Sequence, residues 1–64
     1  MKVEIDYTNW RGIRARRVVL PEKILFGQNE WHPEPGWLLQ AVDLKTGETR
    51  TFSLKNIHAW VEKS

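Results

Sequence analysis

Arg50 is the residue whose position in the sequence most invites chemistry. It stands in Glu48-Thr49-Arg50-Thr51-Phe52-Ser53-Leu54, a segment that alternates with period two. Glu48, Arg50, Phe52 and Leu54 point one way. Thr49, Thr51 and Ser53 point the other, and their hydroxyl face suits solvent. A guanidinium on the side of Phe52 and Leu54 carries a permanent charge. It must be paired inside the protein or meet an anion. In one reading Arg50 holds a phosphate bidentately, with Trp37 as a nearby stacking surface. In the other it pairs with Glu48 or Asp43 across a turn.

Other cations cluster near the start of the chain. Arg11, Arg14, Arg16 and Arg17 fall close together. Arg14 and Arg16 face outward on a strand, opposite Glu4 and Asp6, so cross-strand ion pairs account for them. Arg11 in a turn and Arg17 at an expected bend have no evident acidic neighbour, which makes them candidates for an external anion. A helical turn at Lys55-Asn56 would carry Lys55 toward Arg50. Trp10, at a turn tip, is placed to stack on a base or pack on a neighbouring molecule. Trp37 reads as core or half-core, Trp60 as a cover for the sheet or a dimer contact, and Trp31 as folding its own loop onto the sheet.

Glu30-x-His32-x-Glu34 has the look of a metal motif. One histidine and two flexible acids in a proline-rich loop make a poor preorganised site, so no metal is assigned. Ser53 has no glycine elbow and nothing ties it to His32 or His58. No phosphate-binding glycine loop occurs. No catalytic residue and no cofactor are assigned, and an enzyme is not expected.

Those residues need a scaffold, and length bounds it. The chain has 64 residues, which implies one domain over 1–64. Such a chain buries roughly 60% of the surface it exposes when unfolded, so its stability is marginal. There is no cysteine to staple it. Four tryptophans, one tyrosine and two phenylalanines supply large buried areas instead. The net charge is only +2, too little for a dedicated non-specific DNA binder. No apolar run is long enough for a membrane span, so a soluble, cytoplasmic protein without membrane contact is expected.

Val3, Ile5 and Tyr7 alternate with Lys2, Glu4, Asp6 and Thr8, a half-buried first strand. Asn9-Trp10-Arg11-Gly12 supplies a turn, with Gly12 at positive φ. A second strand runs from Ile13 to Leu20 with Ile13 and Ala15 inward, a bend near Arg17, and a stop at Pro21. Lys23 to Gly27 is a short third piece. Gly36 to Asp43 is apolar on both faces and therefore interior. Leu44-Lys45-Thr46-Gly47 turns into Glu48 to Leu54. Ile57 to Val61 reads better as a strand than as a helix, because it would cover the bare edge of the first strand. The fold expected is all-β: a small five-stranded, strongly bent SH3-like or Sm-like barrel or roll, with a short helical turn near the C-terminus.

Several fragments together resemble the WYL-domain family, small Sm-like or SH3-like barrels of bacterial transcription regulators and CRISPR-associated proteins. They are Tyr7, Gly12, Arg16-Arg17-Val18-Val19-Leu20-Pro21, Trp37-Leu38-Leu39-Gln40-Ala41 and Arg50-Thr51-Phe52-Ser53-Leu54-Lys55-Asn56-Ile57. Leu38 stands where the family has Tyr, and Lys55-Asn56 where Asp-Arg usually precedes Ile. Members usually carry an N-terminal winged helix, for which 64 residues leave no room. The resemblance implies a regulatory module that senses a ligand.

Two functional expectations follow. One is recognition of a nucleotide or single-stranded nucleic acid through Arg50, Arg17, Arg11 and Lys55, with stacking on Trp37 or Trp10. The alternative is a protein-interaction or self-assembly module, with a homodimer or a protein partner, in which the arginines are structural.

Overall fold

The computed structural model describes residues 1–28 and 34–63. Trp31 and His32, with Glu30 of the acidic-histidine motif, lie outside the described residues.

Period-two alternation becomes burial in the first strand. β1 (Lys2–Thr8) buries Val3, Ile5 and Tyr7 and leaves the residues between them partly open. It pairs antiparallel with β2 (Arg14–Gly27), Val3 opposite Val19 and Tyr7 opposite Ala15. The intervening turn is organised by Asn9. Its side-chain Oδ1 accepts the backbone N–H groups of Arg11 and Ile13 at 2.9 and 3.0 Å, and Gly12 takes φ 81°. An Asx side chain that satisfies two donors and a glycine at positive φ make a compact loop.

β2 corrects the sequence reading in three ways. First, Pro21 does not end the strand. β1 pairing stops at Val19, and β3 (Gly36–Asp43) pairs along the rest of β2. Pro21 therefore lies beyond the stretch bonded on both sides. The β3 register also slips just after it, between Pro21 and Lys23, a bulge position where proline is tolerated. Second, the bend expected near Arg17 is displaced to this slip, and the ladder with β1 is regular through Arg17. Third, regular pairing puts Arg17 opposite Ile5, on the same core face that Ala15 takes opposite Tyr7, but Ile13 and Ala15 stand exposed at the hairpin tip. Val19 is the one fully buried residue of β2.

β3 is flanked by β2 and β4 (Thr49–Ser53) and buries Leu38, Leu39, Ala41 and Asp43, as its two apolar faces require. A 3-10 turn (Leu54–Asn56) leads to β5 (Ile57–Lys63), which pairs antiparallel with β1. The single sheet has the order β4-β3-β2-β1-β5. The sheet curls on itself, because Tyr7 of β1 meets Phe52 of β4 edge-on at 4.9 Å, although two strands lie between theirs. Val3, Ile5, Tyr7, Val19, Leu39, Ala41 and Phe52 form the core, with Leu54 and Ile57 packed against it. The protein is thus all-β, a five-stranded, strongly bent roll with one helical turn before its last strand. Ser53, assigned to the solvent face, is buried, since β4 runs directly into the turn that folds over that end.

Candidate functional site

The four cations and two tryptophans singled out in the sequence separate into two places. The first is an ion cluster at the β3–β4 turn. Asp43, only 1% exposed, ends β3. One carboxylate oxygen, Oδ2, meets Arg17 Nη1 at 3.2 Å and Arg50 Nε at 3.4 Å. The other, Oδ1, accepts the Lys45 N–H at 2.9 Å, while the Asp43 carbonyl accepts the Gly47 N–H at 2.7 Å. Gly47 takes φ 76°, which lets the chain reverse within these bonds. Arg50 Nη2 also lies 3.8 Å from Glu48.

Two guanidiniums and two carboxylates leave this cluster without net charge. The expectation that Arg17 lacks an acidic neighbour is overturned: the core-facing register of β2 delivers it to Asp43. Arg50 takes the internal pairing, with both of the acids proposed for it. A buried carboxylate with its oxygens satisfied is a structural hub, and it draws the middle of β2 onto the β3–β4 turn.

The second place is an open groove of about 570 Å³. Trp10 from the β1–β2 loop and Trp37 at the start of β3 line it, together with Pro35, Leu38, Leu54 and Lys55. Glu34, Ser53 and Asn56 add polar groups. Trp37, read as core or half-core, is 57% exposed, and Trp10 is 56% exposed. Trp37 sits on the outer end of β3, beyond the last core residue, Leu39. The Arg11 guanidinium lies 5.0 Å from the Trp10 ring centroid, a cation–π contact that holds it beside the groove. Lys55 Nζ is 4.0 Å from Glu34, both side chains being largely in water. Among the described residues, neither Arg17 nor Arg50 lines this groove.

The outer face of β1 and β2 carries a third set of charges. Arg14 grips Asp6 through Nε and Nη2 at 2.9 and 3.0 Å. That bidentate bond holds the Asp6 carboxyl below its usual 3.8 and raises the Arg14 guanidinium. Arg16 is the ladder partner of Asp6. His58, which had no assigned partner, meets the Thr8 hydroxyl at 2.6 Å. The cross-strand pairing read for Arg14 therefore holds, on the diagonal two residues from its direct partner Thr8.

Sequence reasoning found Trp10, Trp37, Arg11 and Lys55, which the structure brings together around the groove. It missed Pro35, Leu38 and Leu54, whose types carry no chemistry and which become a wall only through the roll, and the amide of Asn56. It also gave no role to Phe26, whose ring meets Trp37 at 5.3 Å. Among the described residues no group of three or more His, Cys, Asp or Glu side chains is gathered for a metal, and no helix is long and apolar enough to cross a membrane. Compared with known proteins, the chain matches no family model, no curated protein and no solved structure.

Proposed function

We propose that this protein is a non-catalytic binding module for a nucleotide or single-stranded nucleic acid, a WYL-like sensor whose ligand occupies the Trp10–Trp37 groove. The observation that carries the reading is the meeting of two half-exposed tryptophans with Lys55 in one groove, with Arg11 packed on Trp10. Indole faces stack on any base, and neighbouring cations attract the phosphate. The ligand cations are Arg11 and Lys55. Arg17 and Arg50 support the scaffold.

Titration of tryptophan fluorescence with mononucleotides and short single strands, at low and moderate salt, tests this. Saturable quenching that weakens with salt and is lost in Trp37→Ala supports it. A binding-competent Arg50→Ala variant places Arg50 in the scaffold, whereas selective loss of binding in a folded Arg50→Ala variant returns it to the ligand site. No response to any nucleotide sinks the reading.

A second reading rests on β5. This edge strand exposes Trp60 and Val61, and an edge with apolar side chains suits strand addition by another chain. A salt-insensitive dimer, seen by sedimentation and indifferent to nucleotides, would favour this assembly role.

A further inference from the structure

The groove does not end at Trp37. Phe26 is the direct cross-strand partner of Trp37, and the two rings meet edge-to-face at 76°. Phe26 is 60% exposed, and Ile24, two residues earlier on the same face of β2, is 56% exposed. The bulge after Pro21 sets this face, since pairing resumes beyond it with Ile24 opposite Leu39 and Phe26 opposite Trp37. Trp10, Trp37, Phe26 and Ile24 therefore form one exposed apolar strip that crosses from the β1–β2 loop over β3 to β2. Phe26 and Ile24 do not line the groove itself and extend its apolar surface beyond Trp37.

We propose that the strip is a multi-base platform and that the natural ligand is a single-stranded oligonucleotide, with Phe26 as the stacking surface for a base beyond the one held at Trp37. This inference rests on the groove's reading as a base-binding site and narrows it to a polymer. Two features favour nucleic acid as the occupant. The strip is continuous with the groove, and cations flank that groove, Lys55 within it and Arg11 on Trp10. A polyanion with regularly spaced flat rings matches successive aromatic platforms with cations at their margin. Phe26 is a positioning and affinity residue, with no chemistry of its own.

The test is a length ladder of oligothymidylates, from one to six nucleotides, titrated against the wild type, Phe26→Ala and Phe26→Trp at low salt. Affinity should rise about fivefold or more per nucleotide up to roughly three and then level off. Phe26→Ala should weaken the hexamer by about fivefold or more and leave thymidine monophosphate unchanged, and Phe26→Trp should restore the hexamer. Phe26 is well exposed, so both variants should stay folded, Phe26→Ala melting somewhat lower because it loses the edge contact with Trp37. Equal hexamer affinity in wild type and Phe26→Ala overturns the platform while groove binding stands. A Phe26→Ala effect on the sedimentation of the ligand-free protein overturns it in favour of a self-association surface. If neither monophosphate nor hexamer moves the fluorescence, the groove reading itself has failed and the platform falls with it.

Discussion

Asp43 decides what the arginines do. Its carboxylate faces two guanidiniums from two strands and also caps the β3–β4 turn. Removing it leaves Arg17 and Arg50 facing each other, with only the exposed Glu48, 3.8 Å from Arg50, to compensate. For a fully buried pair, loss of one partner costs about 3–5 kcal/mol. Both arginines keep a third or more of their side-chain surface in water, so Asp43→Ala should cost somewhat less, about 2–4 kcal/mol. Asp43→Asn should cost less again, because its amide oxygen still accepts the Lys45 N–H. Urea midpoints check the order. A midpoint unchanged in Asp43→Ala would show that the cluster contributes nothing to stability. Glu34 makes the opposite argument at the groove. Its carboxylate competes with any phosphate for Lys55, but across 4.0 Å of largely hydrated contact. Glu34→Gln should therefore tighten an anionic ligand only about two- to threefold and leave the melting temperature alone. Weaker binding in that variant would mean that Glu34 contacts the ligand directly.

Turns and strands show how far the sequence could be read. Gly12 and Gly47 were legible because each sits in polar turn chemistry, and both take positive φ. A Cβ added at either meets nothing within 4 Å, so the cost of alanine is backbone strain alone. Gly47→Ala should lose about 1–2 kcal/mol. Gly27 and Gly36, paired across β2 and β3, have no positive φ and equal space. Alanine there should be neutral or slightly stabilising. Equal denaturation midpoints for Gly47→Ala and Gly36→Ala would refute the distinction. β1 and β5 were legible from alternation and from the bare edge that one leaves for the other. β2 was not, because proline and the register slip together mimic a strand end. The bend was misplaced with it, and Arg17, on the core face with Ala15, was left without its partner Asp43. Trp37 escaped for a different reason. Its type says core, and only the position of Leu39 as the last buried residue on that face of β3 tells that it lies outside.

The whole molecule should have a stability plateau bounded by two residues of the same strand. Asp6 has its carboxyl lowered by the Arg14 hydrogen bond first, against an opposing effect of desolvation, with the charge of Arg14 adding to the lowering. Its charged form is thus favoured in the folded state. The stability it contributes is present above its unfolded value of 3.8 and is lost as pH falls through its lower folded value. Tyr7 is displaced the other way. Burial raises its phenol above 10.0, opposed by the Ser53 backbone N–H that donates to it and by the charge of Arg17. The neutral phenol is favoured in the folded state, so its contribution is whole below 10.0 and disappears as pH rises through the higher folded value. Arg14 stays charged throughout. The contributions of Asp6 and Tyr7 to the denaturation midpoint should therefore be level between about pH 5 and 9. Asp6→Asn should lower the plateau and flatten the acid limb. Tyr7→Phe should flatten the alkaline limb, because the phenol no longer ionises against the Phe52 ring and the core. An alkaline limb that survives Tyr7→Phe would mean that ionisation of the Tyr7 phenol is not what opens the roll at high pH.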